Sequence, residues 1–223
     1  MQVYYFPSPN GRKISIALEE MGLDYEVVLV NILEGGQLEP HFLELSPNGR
    51  IPALVDHDAS GERVVIFESG AILQYLGRKS GQFYPAREAR RCWVDAWLFW
   101  QMAGLGPMSG QVSYFTRAAS SPGRDPRDCS YALHRYTKEV KRLYGVLDRQ
   151  LKGREFICDD YSIADMASWT WVNQYHAQVG ELAAEYPHIA AWRDRIAARP
   201  AVQRAMRVGT EGLPASWNPS ARA

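Results

Sequence analysis

The sequence predicts a small α/β domain followed by an all-helical one, and three observations carry that prediction. From Met1 to Gly81, strand-like and helix-like hydrophobic runs alternate, whereas from Arg87 onward the strand pattern disappears. The 223 residues, set against a typical domain of roughly 150, leave room for two small domains. A short segment, Phe83 to Ala86, lies between the two patterns, placing the domains at 1–82 and 87–208.

Residues 3–6 are apolar and aromatic and are broken by Pro7 and Pro9, as suits a short buried strand. Ile14, Ala17, Leu18 and Met21 follow at helical spacing, with Gly22 at the C-cap position. Residues 25–30 read as a second strand. After Gly35-Gly36 a short helical segment around 41–45 ends at Pro47-Asn48-Gly49. Residues 53–56 and 64–67 read as a hairpin across a polar turn containing Ser60-Gly61. Ser69 is placed to cap a helix through Ile72, Tyr75 and Leu76 that Gly81 ends.

In the second domain Trp93, Trp97 and Trp100 share a helical face, which Gly104-Leu105-Gly106-Pro107 is expected to interrupt. Residues 120–126 have the composition of a loop. Tyr136, Val140, Leu143, Tyr144, Leu147 and Leu151 form the longest apolar stripe, stopped by Gly153. Ser162-Ile163-Ala164-Asp165 has the shape of a capping box opening another helix. Pro187 opens one more, with Ile189, Trp192 and Ile196 inward, and Pro200 restarts the chain. The tail from Gly209, rich in Gly, Pro and Ser, is expected to be irregular.

Composition narrows the function classes. Hydrophobic residues make up 46% and charged residues 22%, with 25 basic against 25 acidic side chains, so neither disorder nor nucleic-acid binding is expected. The N-terminal run Met1-Gln2-Val3-Tyr4-Tyr5 does not have the form of a secretory signal, and no stretch reaches a membrane span. Cys92, Cys129 and Cys158 are odd in number and widely spaced, and the five histidines show no ligand spacing. Neither a disulfide scaffold nor a metal site is expected, and a soluble protein of a reducing cytoplasm is.

Three features could carry chemistry. The first is a strand, a proline loop and a helix beginning near Asn10, which bring backbone N–H groups and a positive dipole end together. Ser8 and Asn10 there either cap the helix or donate to an anion such as a thiolate. The second is Asn48-Gly49-Arg50-Ile51-Pro52, whose X-Pro bond, if cis, turns the backbone of Ile51 outward to pair with an extended ligand. The third is Glu68-Ser69 at another helix start. These residues either cap that helix or hold a ligand's ammonium and carboxylate.

In this order along one chain, the three features resemble those of the cytosolic glutathione transferases. Pro-Asn-Gly-Arg-Ile-Pro-Ala-Leu-Val-Asp at 47–56 and Glu-Ser-Gly-Ala-Ile-Leu-Gln-Tyr-Leu at 68–76 are similar to that family's glutathione-site segments, and 161–165 to its helical capping box. Within the family the chain looks most like the bacterial Nu class. That likeness rests on Pro7-Ser8-Pro9-Asn10-Gly11, Gly35-Gly36-Gln37, residues 98–101 and 104–108, and Arg135-Tyr136. A threonine usual in that class is Ser8 here.

The resemblance implies an α/β thioredoxin-like N-terminal domain, an all-α C-terminal domain, a homodimer, and glutathione as co-substrate with no metal. It implies that Ser8 and Asn10 are catalytic. Asn10, Gln37, Arg50 and Ile51 would contact glutathione, with Ile51 pairing with the cysteinyl backbone. Glu68 and Ser69 would hold the γ-glutamyl end, and Arg135 would reach the site of the partner subunit. Thioredoxin chemistry would need a cysteine near Ser8-Pro9-Asn10, and there is none. Tyr4 and Tyr5, in the strand, do not match the catalytic tyrosine of other classes.

The expected activity is therefore glutathione-dependent disulfide reduction, with glutathione and glutathione disulfide as partners. Two alternatives stand beside it. One is conjugation to electrophiles in a cleft lined by Phe99, Trp100, Met108 and Tyr114, whose aromatics individually read more as core than as substrate wall. The other is a non-catalytic regulatory module that keeps the fold.

Overall fold

The computed structural model describes residues 1–211 except 122, 124, 126 and 179. The chain divides into two compact units, one of Met1–Ala86 with the segment from Ala197, the other of Arg87–Ile196. Most of the expected irregular tail and three positions of the 120–126 loop lie outside the described residues.

The first unit alternates β1 (Gln2–Tyr5), α1 (Pro9–Met21), β2 (Glu26–Leu29), a 3-10 turn (Gly36–Leu38), α2 (Pro40–Leu43), β3 (Ala53–His57), β4 (Arg63–Phe67) and α3 (Ser69–Ser80). The sheet order is β2-β1-β3-β4. β1 and β2 are parallel, with Val3 opposite Val27; β1 and β3 are antiparallel, with Val3 opposite Leu54. β3 and β4 form the expected hairpin, with Leu54 opposite Ile66. Val3, Leu54, Ile14, Ala17, Leu18, Ile72 and Leu76 are buried in its core. Gly22 and Gly81 end α1 and α3 in the left-handed conformation the sequence required of them.

The last described helix, α10 (Pro200–Ala205), packs on α1 in the first unit, although it reads in sequence as a continuation of the helical run. Arg199 makes a two-pronged pair with Glu20 at 2.6 and 2.8 Å, Arg204 bonds Glu19 at 2.8 Å, and Ser15 Oγ donates to the carbonyl of Ala205.

The second unit comprises α4 (Glu88–Trp100), α5 (Gly106–Ala119), α6 (Arg127–Leu151), α7 (Ile163–Tyr175), α8 (Leu182–Glu185) and α9 (Pro187–Ala197), whose final residue groups with the first unit. Gly104-Leu105-Gly106-Pro107 does not break the helical path. A π-helical turn, Gln101–Leu105, absorbs one extra residue per turn and hands over to α5 with Pro107 in its first turn. Gly106 is tied to this geometry, since a Cβ there would stand 2.7 Å from Gln101 Nε2 and 3.2 Å from the Trp171 ring.

α7 opens on the expected capping box. The Ser162 amide donates to Asp165 Oδ2 at 3.0 Å, and Asp165 Oδ1 accepts from the Ile157 amide and from Trp192 Nε1, both at 2.9 Å. Burial pushes the Asp165 carboxyl up to about 6, while these donors pull it back toward ionisation. Asp165→Ala leaves two buried amides and a buried indole N–H without their acceptor, and is expected to cost on the order of 3 kcal/mol in urea unfolding. A loss below about 1 kcal/mol, the range of an ordinary surface change, would show that the network does not hold the unit together.

Candidate active site

Register brings the three sequence features together. Tyr4 at the end of β1 lies opposite Ala53 at the start of β3, and Ala53 lies opposite Phe67 at the end of β4. The loop into α1, the Ile51-Pro52 step and the Glu68-Ser69 junction therefore leave the sheet from one edge. The 3-10 turn joins them, because Gly49 packs against the carbonyl of Gln37 at 3.4 Å from where its Cβ would be.

At α1, Ser8 is the N-cap, and its Oγ accepts from the Gly11 amide at 3.3 Å. A hydroxyl has two lone pairs and one proton, so capping leaves the Ser8 proton available; among the described residues it is donated to no group. Asn10 stands in the first turn. Gly11 lets the helix start close to β1, since a Cβ there would overlap the carbonyl oxygen of Phe6.

The Ile51-Pro52 peptide is cis. The Ile51 side chain packs on the cluster of Phe42, Leu45, Ala53 and Val55, and among the described residues no hydrogen bond takes its amide or carbonyl. Arg50 beside it is exposed, while Gln37 Oε1 is buried and accepts no hydrogen bond among the described residues. An extended peptide with amides to donate fits this pair of features.

At α3 the structure corrects the expected cap. Glu68, not Ser69, is the N-cap residue, with φ 73° and ψ 115°, and its side chain makes no capping bond. Ser69 is already helical, and its hydroxyl accepts from Lys13 Nζ at 3.2 Å. A non-glycine residue at positive φ is strained, and such strain is held where the surroundings determine it, often at ligand sites.

Lys13 is the residue that sequence reading missed. It is 1% exposed, one helical turn beyond Pro9, and burial lowers its ammonium to about 7, opposed by the nearby Glu68 carboxylate. Its only signal was position: Ile16 and Ala17, three and four residues on, are fully buried on α1.

Arg135 lies in the second unit, exposed on α6, near Glu139. Phe99 and Tyr114 are 62% and 52% exposed, so they are not core side chains as their composition implied. All three cysteines lie in the second unit. Burial pushes Cys158 up to about 12, and the Glu88 carboxylate beside Cys92 raises that thiol too. Tyr5 is buried, with Gly209 against its ring, and burial raises its hydroxyl further from ionisation. Among the described residues there is no cluster of metal-ligating side chains, and no helix is long and apolar enough to cross a membrane.

A thioredoxin-like sheet with a cis-proline edge, joined in one chain to a helical unit, defines the glutathione transferase architecture, and the comparisons agree. Residues 7–79 match the family "Glutathione S-transferase, N-terminal domain" and residues 130–200 match "Glutathione S-transferase, C-terminal domain". The chain belongs to the glutathione S-transferase family. It is 44% identical to the disulfide-bond oxidoreductase YfcG of Escherichia coli K12, over 92% of this chain and 94% of that one. It resembles a Burkholderia graminis glutathione transferase with two glutathione molecules bound per subunit, at TM-score 0.87 and 41% identity, covering 95% and 89% of the two chains. A Pseudomonas putida glutathione transferase with one glutathione disulfide bound per subunit matches at TM-score 0.85 and 43% identity, covering 93% and 91%.

The buried lysine has a consequence for stability. Between about 7 and its unfolded value of 10.5, Lys13 binds fewer protons folded than unfolded, so its contribution to stability rises with pH across that window. Lys13→Met removes this titration. The stability difference between wild type and variant, from urea unfolding at several pH values, is expected to change steadily from neutral to alkaline pH; a constant difference would contradict the buried charge.

Proposed function

We propose that this protein is a glutathione-dependent disulfide-bond oxidoreductase working through the thiolate of bound glutathione. One observation carries the reading most directly: Ser8 and Asn10 stand at the N-terminus of α1, where the helix end favours an anion, yet the unit contains no cysteine to occupy it. The reactive sulfur is then the ligand's. The resemblance to YfcG, and to transferases holding two glutathiones or glutathione disulfide, supports the same chemistry.

Residues 1–82 serve as the glutathione-binding domain and 87–208 as the helical domain, of which the stretch from Ala197 packs with the first. Gln37, Arg50 and the Ile51 backbone hold the tripeptide extended, and Glu68 and Ser69 take its γ-glutamyl ammonium and carboxylate. Ser8, Asn10 and the α1 dipole favour the thiolate over the thiol. That thiolate attacks one sulfur of a substrate disulfide, breaking the S–S bond and releasing the other sulfur as a thiolate that takes up a proton. A second glutathione thiolate attacks the glutathione sulfur of the mixed disulfide and releases the remaining substrate thiol with glutathione disulfide. Holding the two peptides together supplies proximity. The protein acts as a cytoplasmic homodimer, in which Arg135 reaches the partner's site.

The exposed aromatic rings of Phe99 and Tyr114 favour a second reading, conjugation of glutathione to apolar electrophiles in a detoxifying role. Assays of hydroxyethyl disulfide reduction and of chlorodinitrobenzene conjugation on one sample separate the two. Efficient disulfide reduction is expected, with Asn10→Ala slowing it about tenfold, the order of one hydrogen bond to a charged group. Absence of disulfide reduction, or an unaffected Asn10→Ala enzyme, would sink the oxidoreductase reading.

A further inference from the structure

We propose that Lys13 is a positioning residue for glutathione: its side chain holds the Ser69 hydroxyl as a donor directed away from α1, toward the carboxylate of the ligand's γ-glutamyl end. The inference rests on the glutathione-binding reading above and adds to it a residue outside the contact set.

A lysine is almost never fully buried unless something engages it, and Lys13 is 1% exposed with its Nζ 3.2 Å from Ser69 Oγ, 56 residues away in sequence. In its protonated form Lys13 carries three donors and no lone pair, so Ser69 Oγ then accepts from it. The single hydroxyl proton of Ser69 therefore points away from Lys13. A hydroxyl accepting from a cation is also polarised into a stronger donor. Ser69 is in the first turn of α3, whose dipole favours an anion at the same place.

Charge around Lys13 fits an amino-acid zwitterion. Glu68, next to Ser69 and held at φ 73°, is the acidic group whose field reaches Lys13. Arg199, which caps α10, and Arg204 on it are matched by Glu20 and Glu19 at the far end of α1. A negative group and a buried positive group thus flank Ser69, in the arrangement that an α-ammonium and an α-carboxylate require. The lowered proton affinity of Lys13 agrees, since an arriving carboxylate would restore it.

The test uses the full chain and S-methylglutathione, which keeps the γ-glutamyl end and has no titratable thiol. Calorimetric titration compares wild type, Lys13→Met, Lys13→Gln, Lys13→Arg, Ser69→Ala and the Lys13→Met/Ser69→Ala double variant, with circular dichroism confirming folding. Either neutral Lys13 variant, if folded, reads the effect. Lys13→Met or Lys13→Gln is expected to weaken binding about tenfold, roughly the worth of one charge-assisted hydrogen bond, and Lys13→Arg to restore most of it. Because Lys13 acts through Ser69, the double variant is expected to bind no worse than Ser69→Ala alone. In the disulfide assay the neutral variants should raise KM for glutathione while kcat at saturation stays near wild type. Wild-type affinity in both neutral variants, or losses that multiply in the double variant, would overturn the proposal for Lys13 while leaving the glutathione reading intact. Failure of wild type itself to bind S-methylglutathione would remove both.

Discussion

The approach of α1 to the end of β1 is the contact on which the rest of the N-terminal unit depends. Gly11 permits it: any side chain at that position would run into the carbonyl oxygen of Phe6. With the helix seated there, Ser8 closes its first turn, Ile14 and Leu18 reach the sheet, and Lys13 comes within bonding distance of the start of α3. Shifting α1 outward by the width of a methyl group would disturb the thiolate position, the core and the tie between α1 and α3 together. The two acid–base pairs to α10 hold the opposite end of the same helix.

The site is assembled from weak, local polar effects and not from a global field. The chain is neutral, with 25 charges of each sign. Around the sheet edge, however, the local field is structured: a helix N-terminus at Ser8, a buried cation at Lys13, a carboxylate at Glu68 and a second helix N-terminus at Ser69. Burial amplifies the fields at Lys13 and Ser69, where the surroundings screen poorly. A zwitterionic tripeptide with a reactive thiol suits that pattern, and the unit that carries these groups has no cysteine of its own to compete with it.

The helical unit shows where reading by local pattern succeeds and where it fails. The α6 stripe from Val140 to Leu151 and the Ser162–Asp165 box are legible because both signals are complete within a few helical turns. Gly104-Leu105-Gly106-Pro107 misleads because Gly and Pro mark broken helices on average. Here the Trp171 ring and the buried Gln101 fill the space that a bulkier Gly106 would occupy, and the widened turn stays packed. The exposure of Phe99 and Tyr114 could not be read from residue type, since an aromatic at helical spacing fits a core and a surface alike.

From sequence alone came the two domain types, the alternation of the first, the hairpin, the glycine caps and the three loops that carry polar groups. Each rests on periodicity or turn chemistry spanning a few residues. What only the tertiary structure decided is which groups meet. Strand register put Ser8, Ile51 and Glu68 on one sheet edge, and close packing of α1 buried Lys13 against Ser69, fifty-six positions along the chain. Glu68 is the cap of α3 where local pattern favoured Ser69. A buried charge is invisible in sequence because its cost and its compensation come from residues that only folding brings near it.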